Sequence, residues 1–117
     1  MNDQYDENNV FAKILRGDIP CKSIKETDYS LALYDINPRA PVHILVIPKG
    51  KYVNYNDFIS KSLQEEREDF FLLVHSIAKE YASSDGFRIV SNNGADGGQE
   101  VPHLHFHILS GKVMEAL

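Results

Sequence analysis

This 117-residue chain has a single cysteine, no excess of positive charge and no long apolar run, and each absence removes a class of function. Cys21 alone cannot close an intrachain disulfide, so the chain reads as one suited to a reducing, cytoplasmic compartment. Cys21 itself reads as a small apolar residue rather than a nucleophile. Twelve Lys and Arg against seventeen Asp and Glu leave a net charge of −5, with no basic stripe to displace counterions from phosphates. A nucleic-acid partner is therefore not expected. A small anionic ligand is still compatible, because a local cradle of N–H dipoles outweighs a diffuse, screened net charge. No segment approaches the ~18–20 apolar residues needed to cross a bilayer, so no membrane span is expected. Repeats, low-complexity tracts and a second domain are also lacking, and the length suits one domain. Residues 1–9 are polar and acidic, unlike a signal or transit peptide. They read as a flexible leader to a domain at 10–117.

Against that plain background, His103-Leu-His105-Phe-His107-Ile-Leu109 stands out. Three of the five histidines fall within five residues. On an extended strand, alternate side chains share a face, so His103, His105 and His107 are expected to point one way, in steps of roughly 6.5–7 Å. Leu104, Phe106 and Ile108 then point into a core.

The rest of the chain reads as support for this stretch. Val10–Arg16 carries Phe11, Ile14 and Leu15 at helical spacing, and Gly17 stops it. A short exposed strand follows at Lys22–Glu26, then a strand at Tyr29–Ile36. Asp35 shares a face with Leu31 and Leu33 at its end. A lone acid before Asn37-Pro38 reads as a turn cap, or as an acceptor for the vicinal hydroxyls of a sugar. Pro41–Pro48 is nearly continuous β-branched apolar sequence, the pattern of a strand buried on both faces, interrupted only by His43. Lys49–Ile59 reads as irregular. Ser62 and Glu65 suggest a capping box opening one long amphipathic helix, through Phe70, Phe71, Val74, Ile77, Ala78 and Tyr81, to a stop at Ser83–Gly86. His75 lies off its apolar stripe. Phe87–Ser91 reads as a strand. The connection Asn92–Gln99 is longer than a hairpin needs, and its three glycines suggest a nest of N–H groups for an anion.

A row of imidazoles allows two kinds of chemistry. Neutral imidazole is a nucleophile near pH 7. Attack on phosphorus by one ring nitrogen requires the other to keep its proton, held by a carbonyl. A cationic neighbouring histidine can place charge on a phosphate oxygen or protonate a leaving group. The alternative is a metal-binding histidine site, since His-x-His on a strand suits zinc. That reading needs further ligands, and apart from His43 the sequence offers no obvious set.

The motif at His103–Leu109 matches the His-φ-His-φ-His-φ-φ pattern of the histidine triad (HIT) family, and Gly97-Gly98-Gln99-Glu100-Val101 matches that family's Gly-Gln lead-in. Phe11–Pro20, Tyr34–Pro38 and His43–Pro48 resemble its Hint-like, bacterial-type nucleotide-binding branch. The resemblance implies an α+β fold: a five-stranded antiparallel sheet with one long and one short helix, joined across a homodimer into a ten-stranded sheet. It implies a phosphoramidase-type hydrolase acting on purine nucleoside monophosphate conjugates, with no cofactor and no metal. By position, His105 would attack the α-phosphorus and carry a nucleotidyl intermediate, with the His103 carbonyl holding its tautomer. His107, Asn92, Gly98 and Gln99 would lie at the phosphate, with Gln99 also in the catalytic set, while His43 and His103 orient the histidine group. Asp35 would bind the ribose hydroxyls. Phe11, Ile14, Leu33 and Ile36 would line the purine pocket, Leu33 at a position often aromatic in relatives. Glu100 stands where animal-type members carry a small hydroxyl residue. Against the hydrolase stands a purine nucleotide-binding protein whose role is interaction, with incidental catalysis.

Overall fold

A computed structural model describes residues 5–117. Eight elements follow one another: α1 (Val10–Arg16), β1 (Ser23–Glu26), β2 (Ser30–Tyr34), β3 (Val42–Pro48), α2 (Tyr55–Lys61), α3 (Gln64–Tyr81), β4 (Phe87–Val90) and β5 (Phe106–Ser110). The strands form one antiparallel sheet in the order β1-β2-β3-β5-β4. This is the α+β architecture expected from the resemblance, with three helices rather than two.

The central strand β3 is buried on both faces, as its unbroken apolar sequence requires. Ile44 and Val46 join Ala32, Phe106 and Ile108 beneath α3, which contributes Phe70, Leu73, Val74, Ile77 and Ala78. Phe58 and Phe70 meet edge to face at 5.2 Å, and Phe70 meets Phe106 likewise at 5.0 Å. The opposite residues of the same strands, Leu31, Leu33, Leu45 and Ile47, pack on Phe11 of α1. The long helix thus covers one face fully. The short α1 covers only part of the other, and the uncovered part holds the cleft described below.

The region 49–59, read as irregular, contains α2. Asn54 caps it by accepting from the Asp57 amide at 2.9 Å, and Asp57 accepts from the Val53 amide at 2.8 Å. With seven residues and Phe58 its one buried side chain, α2 is too short to show a periodicity. Its presence moves the next cap by one residue. Ser62 closes α2, its hydroxyl donating to the Phe58 carbonyl, and α3 begins after Leu63, whose amide donates to Glu66 Oε1 at 3.0 Å. Phe71, expected in the core, is 37% exposed, and Leu73 takes the buried position.

Of the expected leader at 1–9, the described segment 5–9 is hydrogen-bonded to the domain. Residues 1–4 lie outside the described residues. Asn9, 5% exposed, caps α1 by accepting from the Ala12 amide at 2.9 Å. Asp6 accepts from the Asn9 amide and side chain, and Glu7 pairs with Lys51 at 2.7 Å. A polar side chain before Val10 is a helix-opening signal as much as a leader signal.

The histidine stretch is only partly a strand. Pairing of β5 with β3 starts at Phe106 opposite Val46; continued, it would set Leu104 opposite Pro48, which has no N–H to donate. The chain leaves the sheet there. The Leu104 amide donates instead to the Tyr52 carbonyl at 2.8 Å, and the His103 amide to the Val101 carbonyl at 2.8 Å.

Candidate active site

A cleft of about 530 Å³ opens beside α1, over the ends of β2, β3 and β5. Its wall includes Phe11, Ile14, Leu33, Asp35, Ile36, His43, Asn92, Gly98, His105 and His107, all singled out from the sequence. Two of the expected residues are not part of it. His103 is fully buried behind the wall, against Phe11. Gln99 is committed elsewhere: its Oε1 accepts from the Gly94 amide at 2.9 Å, and its Nε2 donates to the carbonyls of Val53 at 2.7 Å and Val101 at 2.9 Å. Gln99 is a brace for the glycine loop.

The loop is not an open nest of amides either. Gly98 N–H donates to the Ala95 carbonyl and Gln99 N–H to the Gly94 carbonyl, so these donors are used within the loop. Gly94 and Gly98 have φ of 71° and 73°, the left-handed region that favours glycine. Gly97 is needed for another reason: a Cβ there would lie 2.4 Å from the Asn93 carbonyl oxygen.

The hydrogen bonds determine the protons. A carbonyl only accepts, so His105, whose Nδ1 lies 2.7 Å from the His103 carbonyl, carries its proton there and keeps a lone pair on Nε2. His103 Nε2 faces the Pro48 carbonyl at 2.8 Å, so its proton sits on Nε2 and its Nδ1 accepts from the Tyr5 hydroxyl. His43 Nδ1 accepts from the Arg39 amide at 3.0 Å, which leaves the proton on Nε2. That proton faces His107 Nδ1 at 2.9 Å, with Asp35 Oδ2 at 3.3 Å, and His107 then carries its own proton on Nε2. The rings of His105 and His107 meet at 5.1 Å, closer than a flat strand would set them.

Burial keeps these rings neutral. It lowers His103 to about 4, against a rise from the Pro48 hydrogen bond. His107 is also lowered to about 4, by burial and then by His105 and His43. Burial likewise lowers His105 and His43, in the latter case against the pull of Asp35. The site therefore presents neutral imidazoles near pH 7, not the cationic clamp considered from sequence.

Asp35 caps the turn, one of the two roles its position suggested, with Oδ1 accepting from the Asn37 amide at 2.8 Å. Its Oδ2 approaches His43 at 3.3 Å, a contact the sequence did not suggest. Together Asp35, His43 and His107 make an acid–histidine–histidine cluster, ligand atoms within 4.8 Å, that sequence spacing did not reveal. The donor set does not fit a metal. With Nδ1 of His43 accepting from Arg39, its Nε2 presents a proton, and a metal would need a lone pair at that nitrogen.

Residues the sequence reading missed include Arg39, which lines the cleft, and Tyr5 and Tyr52, which hold the histidine segment. Tyr52 donates to both oxygens of Glu66, at 2.8 and 2.9 Å, while its carbonyl holds Leu104, so the start of α3 is tied to the chain between His103 and His105. Tyr5 had one visible signal, as the lone aromatic in an acidic, polar stretch.

A HIT domain family profile matches residues 16–114. An uncharacterized 13.2 kDa HIT-like protein of Azospirillum brasilense is 52% identical, over 92% of this chain and 89% of that one. The crystal structure of a HIT family hydrolase from Legionella pneumophila is 38% identical, with a TM-score of 0.83 over 92% of this chain and 96% of that one. A histidine triad nucleotide-binding protein from Candida albicans is 27% identical, with a TM-score of 0.74 over 94% of this chain and 86% of that one. With the family profile spanning most of its length and the triad held in this geometry, the chain belongs to the HIT domain family.

Proposed function

We propose that this protein is a purine nucleotide-binding hydrolase that cleaves nucleoside phosphoramidates or related nucleotidyl conjugates through a nucleotidyl-His105 intermediate. The observation that carries the reading is the His105 Nδ1–H···O=C His103 bond at 2.7 Å, which leaves the Nε2 lone pair for a phosphorus atom in the cleft. Nε2 attacks the α-phosphorus; the N–P bond forms as the bond to the leaving nitrogen breaks, and the amine departs with a proton drawn from solvent, which the water of the second step gives back. Water then attacks the same phosphorus and releases His105 and the nucleoside monophosphate. His107, with a proton on Nε2 set by His43, donates to a phosphate oxygen. Asn92 lies at the phosphate, with Gly98 in the cleft wall beside it; Asp35 receives the ribose hydroxyls; Phe11, Ile14, Leu33 and Ile36 enclose the base. His103 serves through its carbonyl and Gln99 through the loop, not by touching phosphate.

The hydrolase name of the Legionella neighbour and the nucleotide-binding name of the Candida neighbour support the class and the ligand. The resemblance carries a homodimer, and the edge strand β4, with Phe87 51% and Ile89 46% exposed, supports pairing there. The unpaired Cys21 supports a cytoplasmic setting. No helix among the described residues is long and apolar enough to cross a membrane.

The test is adenosine 5′-phosphoramidate turnover, with mass spectrometry of protein quenched during the reaction. A nucleotide adduct on His105, and its loss with turnover in His105→Ala while AMP still binds, is the expected result. Tight AMP binding without turnover in the wild type would favour the interaction protein instead.

A further inference from the structure

We propose that Tyr5 is a positioning residue for His105, acting through the ring of His103. The activity arm of this inference rests on the function proposed above; the structural arm does not. Tyr5 donates to His103 Nδ1, and the two rings meet edge to face at 5.5 Å. With Tyr5 in place His103 is 0% exposed, so its Nδ1 relies on that hydroxyl for a donor. Its other nitrogen is held by the Pro48 carbonyl at 2.8 Å, and its own carbonyl holds His105 at 2.7 Å. The imidazole is thus clamped at both nitrogens, and the residue that is clamped supplies the acceptor for His105.

The clamp comes from outside the sheet and is itself anchored. Glu7, two residues on, pairs with Lys51 at 2.7 Å, and its carbonyl accepts from Arg16 at 2.6 Å. Lys51 precedes Tyr52, whose carbonyl holds Leu104 at 2.8 Å. The N-terminal segment and the 49–54 connection therefore close on the same three residues, His103 to His105. A buried acceptor left without its donor favours any displacement that rehydrates it. Loss of the Tyr5 hydroxyl should loosen the His103 ring, and with it the carbonyl that orients His105.

Tyr5→Phe keeps the ring and removes the donor. In the free variant, nitrogen NMR of the imidazoles should show the His103 Nδ1 resonance shifted toward that of an unbonded lone pair, with the proton still on Nε2. The His105 Nδ1 proton should exchange with solvent faster. Turnover of adenosine 5′-phosphoramidate should fall roughly three- to tenfold in kcat, the scale of one hydrogen bond, with KM little changed. Lys51→Gln, which releases the segment at Glu7 but keeps the hydroxyl, should move the same resonances in the same direction by less. Unchanged His103 and His105 resonances in Tyr5→Phe would overturn the proposal, as would a lower melting temperature accompanied by unchanged proton exchange at His105. Because the NMR readings need no substrate, an inactive wild type would remove the phosphoramidase reading and leave the Tyr5 coupling to be decided on its own.

Discussion

His43 Nε2 lies 2.9 Å from His107 Nδ1, although the two residues stand on neighbouring strands and 64 positions apart in sequence. The Arg39 amide determines which nitrogen of His43 carries the proton, and His43 in turn determines it for His107. A backbone N–H at the end of a turn therefore dictates the donor that His107 presents to the cleft.

This relay predicts that His43→Ala lowers kcat on a phosphoramidate about tenfold or more, a scale set by loss of one buried, oriented donor. The fold should survive, because the side chain faces the cleft. His43→Gln, which can donate at a similar place, should recover part of the loss. Steady-state kinetics on the pair checks it; equal activity in His43→Ala and wild type would remove the relay.

Stability should depend on pH through His103. Its folded value is lowered from 6.5 to about 4, so between these values the unfolded chain binds the extra proton. Stability is then highest above about pH 7, falls as pH drops from 6.5 toward 4, and levels off below; the full shift corresponds to about 3 kcal/mol. His107, lowered to about 4 but less buried, adds in the same direction. Denaturant melts from pH 4 to 8 should show this slope, and His103→Gln should flatten it while lowering stability at pH 7.

The glycine loop separates two kinds of glycine. Gly97→Ala sets a methyl 2.4 Å from a backbone carbonyl, and must displace the loop that Gln99 braces. At Gly98 nothing lies within 4 Å of a Cβ, but φ is 73°. Gly98→Ala should cost about 1 kcal/mol, the usual penalty for the left-handed region, with the loop intact. Gly97→Ala should cost more and reduce turnover as well. Thermal melts and kinetics on both variants distinguish contact from conformation.

Metal should play no part. Calorimetric titration with zinc should give no binding tighter than micromolar, and turnover should be the same with and without EDTA. A tight site abolished by Asp35→Asn would show that the His43 proton yields to a metal, against the hydrogen bonding at Arg39.

The strand pattern of β3, the helix of Phe70 to Tyr81 and the period-two run of histidines are local properties. They follow from which residues alternate and how often; the five-stranded α+β fold as a whole was expected from the family resemblance. The shared face predicted for the three histidines holds for His105 and His107 but not for His103. The sequence also brought most of the cleft wall to notice, through motif rather than geometry. The short helix α2 was illegible because one buried side chain makes no period. The depth of each histidine was illegible because it depends on where β3 runs out at Pro48.

Only the tertiary structure decided that His103 lies behind the wall, that Gln99 braces a loop, that Tyr5 meets His103 and that Asp35, His43 and His107 meet. Each of these depends on hydrogen bonds between segments distant in the chain. Such bonds form only after the sheet has set the segments' spacing, and residue order alone does not encode which donor finds which acceptor.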